Sequence, residues 1–258
     1  MKKKRITRKQ KTLIWIALGL VILVLAGLLI YNGWNNKQNN KVMTIGDTVI
    51  DNTMFSYFFW TEVNYRYGEG SDQPGPDMQL TLDVQMYDDT TTWEEYLIGE
   101  IVPIVEYEIA MVKAAEAEGF EMPEEIRKQC DSVLENFRQN SEDMKYGSLN
   151  DYLVDTYGKG ANEKSFKQYL YYDFLAVSYN DALFTGTEPT EEQVQEYYER
   201  WRSNYEEGDY EAAAADLHKE EYYNAVAAVQ AEYPAEVQEE NIVIGKPHGA
   251  HLQTGEEH

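Results

Sequence analysis

The chain has one cysteine, Cys130, among 258 residues. A single thiol cannot close an intrachain disulfide, so the fold must rest on packing rather than on covalent staples. Cys130 lies in a charged helical stretch with no nearby histidine, which argues against a thiol enzyme. Histidine is almost as scarce: His218, His248, His251 and His258 are the four. His248 and His251 offer two ligands without a further pair, too few to build a metal centre. His218 reads as a helix residue at the surface. The chain has no G-x-S-x-G, S-x-x-K, H-E-x-x-H or Walker motif. No catalytic residue, cofactor or metal is therefore expected. Basic residues are also in deficit, 22 against 46 acidic, for a formal net charge of −24. A nucleic-acid partner is excluded by that balance, because phosphate binding needs a basic face.

Long hydrophobic runs are absent except for one. Residues Thr12 to Tyr31 read TLIWIALGLVILVLAGLLIY, with no charge. A helix of about 20 such residues rises roughly 30 Å, the thickness of a bilayer core. Lys2, Lys3, Lys4, Arg5, Arg8, Lys9 and Lys11 precede it, so residues 1–11 are expected to be cytoplasmic and everything after Tyr31 extracytoplasmic. A cleaved signal peptide is the rival reading. The run is longer than a signal core, and Gly27-Leu28-Leu29-Ile30 continues with bulky residues past Ala26, which favours an uncleaved single-pass anchor. No cysteine follows the run to carry a lipid. Residues 32–41, rich in Asn, read as a juxtamembrane linker. Removing the seven cytoplasmic cations from the formal −24 leaves −31 for the remainder, since no acid precedes Asp47.

Residues 42–245 read as one mainly α domain with a small β element. Val42 to Ile50 alternates around Gly46-Asp47, a hairpin signal. Asp51 is placed to cap a helix through Tyr67, with Met54, Phe55, Phe58 and Phe59 on its apolar side. Gly68 to Pro76 is a loop, and Leu80, Leu82 and Val84 suggest an extended segment. Thr92 opens a long helical pattern that carries Trp93, Leu97, Ile101, Ile104 and Ile109 and stops at Gly119. Pro103 is expected to kink or divide it. Pro123 starts a helix to about Asn140, bearing Ile126, Cys130, Val133, Leu134 and Phe137. A short helix runs from Ser148 to Tyr157. Asn162 caps another, with Phe166, Tyr169, Leu170, Phe174, Val177 and Leu183, ending at Gly186. Thr190-Glu191-Glu192-Gln193 is a capping box before Val194, Tyr197, Tyr198 and Trp201. A last helix from Tyr210 is terminated by Pro234. Val237 and Ile242-Val243-Ile244 are expected to add a strand to the opening hairpin and bring the chain ends together. Residues 246–258 read as a disordered tail.

Acid pairs such as Glu94-Glu95 and Glu191-Glu192 fall at helix starts, where they complement the macrodipole, so no glycosidase-type pair stands out. Glu69, Asp72 and Asp77 do not match a calcium-loop spacing. Aromatic residues are the more informative class. Phe55, Tyr57, Phe58, Phe59 and Trp60 point all round their helix, and Tyr169, Tyr171, Tyr172 and Phe174 repeat the pattern. Most such side chains fill cores, but aromatic and Met surfaces also bind varied apolar segments with little sequence demand. Phe55, Phe58, Phe59, Trp93, Tyr169, Tyr172 and Phe174 are the candidates for a peptide-binding groove.

The order of these pieces resembles the SurA/PrsA-like extracytoplasmic chaperones, especially membrane-bound members from Gram-positive bacteria. The resemblance rests on the V-x-x-G-D-x-x-I-D-like hairpin and the aromatic helix after it. It continues through Thr92-Trp93-Glu94-Glu95-Tyr96-Leu97, Ala114-Ala115-Glu116-Ala117-Glu118-Gly119, Leu149-Asn150-Asp151-Tyr152-Leu153 and Pro189-Thr190-Glu191-Glu192 with Tyr197-Tyr198. It covers about Val42 to Tyr205, with the closing segment Tyr222 to Ile244. Family members often carry a parvulin prolyl-isomerase domain after the last of these motifs. Here an Ala-rich helix follows Tyr205 instead, with no paired histidines and no Gly-Gly loop. The resemblance thus implies the helical SurA N-terminal-like module alone: a membrane-tethered, ATP-independent holdase for unfolded or nascent secreted polypeptides, not an enzyme. The alternatives are a foldase with residual prolyl-isomerase activity and a dedicated binding partner of one envelope protein.

Overall fold

The computed structural model describes residues 41–68 and 70–244. The expected anchor at Thr12–Tyr31, the basic segment before it and the tail after Gly245 lie outside these residues. Among the described residues, no helix is long and apolar enough to cross a membrane.

Strands β1 (Lys41–Ile45) and β2 (Thr48–Asp51) form the expected hairpin around Gly46-Asp47, with Met43 opposite Ile50 and Ile45 opposite Thr48. Strand β3 (Ala235–Val237) pairs antiparallel with the other edge of β1, so the sheet order is β2-β1-β3 and both ends of the domain meet. Ile242–Ile244 do not join the sheet. They run past the start of the first helix, where the buried Asn52 pins them: its Nδ2 donates to the Asn241 carbonyl at 2.9 Å and its Oδ1 accepts from the Val243 N–H at 2.8 Å.

Seven α-helices account for most of the described residues. Helix α1 (Asn52–Tyr67) starts as expected, with Asp51 accepting from the Met54 N–H. Every residue from Asn52 to Trp60 is buried, so α1 is a central rod rather than an amphipathic one. Helix α2 (Trp93–Glu118) is capped by a reciprocal Thr92–Glu95 box and closed at Gly119, whose φ of 66° suits the left-handed position that ends a helix. It is not divided at Pro103. The carbonyl that this proline leaves without its i+4 donor belongs to Gly99, and both residues are exposed, so water satisfies the lost bond where a buried one would have broken the helix.

Helix α3 (Glu124–Asp143) runs one turn past the expected end, and α4 (Leu149–Tyr157) is capped by Ser148. Helix α5 (Glu163–Gly186) is capped by Asn162. It carries Tyr169, which stacks on Tyr57 with centroids 5.5 Å apart and meets Phe58 edge-on at 5.0 Å. Helices α1, α2 and α5 therefore surround one aromatic core. Helices α6 (Glu191–Arg200) and α7 (Tyr210–Glu232) form a hairpin with a small core of its own: Val194, Tyr198, Ala213 and Leu217. The C-terminal half of α7 returns to the main body. There Tyr222 donates to Asn180 Oδ1 at 2.5 Å, and Tyr107 donates to the same atom, which ties α2, α5 and α7 together.

Candidate functional site

The predicted groove residues separate into two groups. Phe55, Phe58, Phe59, Tyr169 and Tyr172 are buried in the main core. They hold α1 against α2 and α5, and no ligand reaches them while the domain is folded. Phe174 is half-buried and also packs against that core. The five buried side chains form core and not a groove, because α1 is enclosed from Asn52 to Trp60. Trp93 is half-buried against the same core, and its ring also borders a surface aromatic cluster.

That surface is built by residues 77–96. The alternation of Leu80, Leu82 and Val84 does not produce a strand. Leu82–Val84 form a single 3-10 turn, because the Gln85 side chain takes the backbone groups that a partner strand would need. Its Oε1 accepts from the Asp77 N–H at 2.7 Å, and its Nε2 donates to the carbonyls of Asp77 (2.9 Å), Thr81 (3.2 Å) and Leu80 (3.3 Å). Such side-chain closure competes with regular structure. Asp88 closes the next turn by accepting from the N–H groups of Thr90 and Thr91, and these bonds hold its carboxyl below the usual range. The loop is further anchored where Tyr67 lies over Gly75: a Cβ at Gly75 would stand 2.8 Å from the Tyr67 side chain.

The stapled loop turns Leu82 inward, half-buries Met78 and leaves four other large apolar residues outward. Val84 is 66% exposed, Met86 55%, Leu80 52% and Tyr87 44%. Tyr87 stacks on Tyr96 with centroids 3.7 Å apart and planes 5° from parallel. Trp93 meets Tyr67, Tyr87 and Tyr96 edge-on at 5.0 to 5.8 Å. This is a rigid aromatic platform with methionine and aliphatic residues beside it. Soluble proteins seldom hold so many large apolar side chains outward in one short segment without a use.

A cleft of about 320 Å³ opens next to the loop, walled by Trp60, Met78, Leu80 and Leu82 on one side and Ile242–Ile244 on the other. Asp83 and Glu94 are the acids of its lining. Burial, and then the charges of Asp83 and Glu95, raise the Glu94 carboxyl above its ordinary value. Among the described residues neither acid forms an ion pair. The Trp60 indole N–H is buried and has no acceptor. Trp60, Leu80, Val84 and Met86 were not among the predicted site residues. The usable signal was the apolar run Met78-Leu80-Leu82-Val84-Met86-Tyr87, which has spacing but no neighbouring strand to pair with.

Other hollows occur among the described residues. A groove of about 560 Å³ between α3 and α5 is floored by Phe120, Leu134, Leu170 and Leu175. Its cations are already engaged: Arg127 donates to the Met122 carbonyl, and Lys167 pairs with Glu163. Cys130 lies on this groove, half-buried, and burial followed by the charges of Asp131 and Asp173 raises its thiol. A raised thiol is a poor nucleophile. A notch of about 570 Å³ lies beside Val194 and Tyr210 on the α6–α7 hairpin. His218 is half-buried, its ring tilted against Phe184 at 4.1 Å, with Nε2 2.7 Å from the Phe184 carbonyl near the end of α5. Among the described residues no three His, Cys, Asp or Glu side chains are placed to hold a metal. His248, His251 and His258 lie outside them.

No family model, curated protein or solved structure matches this chain.

Proposed function

We propose that this protein is a membrane-tethered, ATP-independent holdase that binds unfolded polypeptide outside the membrane. The observation that carries the reading is the stapled loop, which holds Leu80, Val84, Met86 and Tyr87 outward beside an apolar cleft. Side chains fixed in this way lose little conformational entropy on binding, and methionine and aromatic surfaces accept many sequences. The resemblance to SurA/PrsA-like chaperones in motif order supports the same class. The apolar run at Thr12–Tyr31 supplies the tether, which raises local concentration near emerging clients. Lys41, where the described domain begins, accepts from Asn241 Nδ2 at 3.0 Å, so the chain enters the domain next to the segment that walls the cleft. The strong negative charge keeps an apolar binding face soluble.

The test is aggregation of a refolding secreted protein, followed by light scattering with residues 42–245 added and a prolyl-isomerase assay alongside. Suppression at near-stoichiometric ratio without isomerase turnover supports the holdase. Failure with several unrelated clients removes it and favours a dedicated partner of one envelope protein. Turnover on a prolyl peptide favours the foldase.

A further inference from the structure

We infer that the cleft beside Trp60 is a selective subsite for a cationic side chain, Lys or Arg, flanked by apolar residues in an extended polypeptide. The inference rests on the polypeptide-binding reading only in taking a polypeptide as the ligand. Two features converge on it. The walls are apolar on both sides, from Trp60, Met78, Leu80 and Leu82 to Ile242–Ile244. Asp83 and Glu94 share the cleft with no cation of their own among the described residues. Like charges brought together in a partly dry cleft repel, and an incoming ammonium or guanidinium relieves both the repulsion and the desolvation.

A neutral apolar peptide would fill the walls but leave both carboxylates unpaired. An acidic one would be repelled. The cationic-apolar segment alone satisfies both features. The overall charge of −24 acts in the same direction at long range, because it draws basic segments in and discourages acidic ones.

The experiment uses the full chain in nanodiscs of neutral lipid, with 5-fluorotryptophan incorporated. The probes are acetyl-Leu-Val-Lys-Val-Leu-amide and the same peptide with Gln or Glu in place of Lys, each labelled for anisotropy. The account expects the Lys peptide to bind about tenfold more tightly than the Gln peptide, and the Glu peptide to bind most weakly. The Lys preference shrinks at high salt. E94Q and D83N each reduce it, and the double variant abolishes it, so that the Lys and Gln peptides then bind alike. The Trp60 fluorine signal, assigned with W60F, shifts on addition of the Lys peptide. Equal binding of the Lys and Gln peptides, or a preference that survives the double variant, overturns the inference. So does self-association of the chain that is sensitive to E94Q and excludes the peptide, since the occupant is then a second copy. If the Lys preference holds but no client is kept from aggregating, the holdase falls and the subsite stands. If aggregation is suppressed equally by wild type and double variant with no Lys preference, the subsite falls and the holdase stands.

Discussion

Helix α1 and the loop that follows it are both rich in large apolar side chains, yet they end in opposite places. Phe55, Tyr57, Phe59 and Trp60 on α1 are buried, while Leu80, Val84, Met86 and Tyr87 stand in solvent. Local composition does not separate them. What separates them is the company each keeps: α1 is enclosed by α2 and α5, which arrive from about 40 and 110 residues later in the chain, whereas Gln85 folds its own loop locally and leaves the outer face without a neighbour. Apolar residues in the first region hold the domain together. In the second they are free to bind something else.

The largest expected effect breaks the first half of this contrast. Phe59→Ala removes a fully buried ring and is expected to destabilise the domain by about 3–5 kcal/mol, read as a lowered midpoint in urea denaturation. A midpoint change below about 1 kcal/mol would show that α1 is not the central rod described.

The next effect concerns a charge that α1, α2 and α5 enclose. Glu108 on α2 is mostly buried, and its Oε2 has no partner. Burial, then Asp173 on α5 and Glu62 on α1, push its carboxyl from an ordinary 4.5 up to about 8. Glu62 is itself paired with Arg66, and Asp173 is raised by burial. The folded state therefore keeps a proton that the unfolded chain has already released. Stability is highest below pH 4.5 as far as this group is concerned, falls as pH rises from 4.5 to 8, and levels off above. Glu108→Gln should remove that slope and raise stability at pH 9 by roughly 3 kcal/mol. Parallel pH profiles for variant and wild type would contradict it.

Asn52 joins the two regions, because it sits at the start of α1 and pins the segment that walls the cleft. Asn52→Ala frees the Asn241 carbonyl and the Val243 N–H at a cost of about 2 kcal/mol. It should also speed hydrogen exchange at Val243 more than at Met43 in the sheet. Equal acceleration at both would mean that the pin is not local. Smaller still, Thr92→Ala removes the capping box that starts α2 beneath the aromatic platform, for about 1 kcal/mol by thermal denaturation.

Much of the scaffold was legible because its signals are local. The Asp51, Thr92, Asn162 and Thr190 caps each involve residues within one turn, and each begins a helix in the structure. The hairpin at Gly46-Asp47 was legible from its own turn and alternation, and the return of the C-terminal segment to it was legible at Val237 but not at Ile242–Ile244, which stay outside the sheet. The continuity of α2 through Pro103 was not, because it depends on which side of the helix faces water. The site was legible only at Trp93. Whether an aromatic residue is core or platform depends on contacts made a hundred residues away: Tyr57 on α1 meets Tyr169 on α5, while Tyr87 meets only Tyr96 and Trp93 nearby. The false strand at Leu80–Val84 has a different origin: the contacts that replace it are local, but apolar alternation does not show that the Gln85 side chain takes the backbone groups.

The most direct measurement compares two variants in one aggregation assay. The first replaces Leu80, Val84, Met86 and Tyr87 together by serine. The second is Phe59→Ala, tested at a temperature where it remains folded. The account predicts that the serine variant keeps the wild-type melting temperature to within a few degrees, as exposed positions allow, but no longer suppresses client aggregation. Phe59→Ala should melt early yet still suppress it while folded. Full suppression by the serine variant would contradict the account, because the outward face of the 77–96 loop would then not be where polypeptide binds.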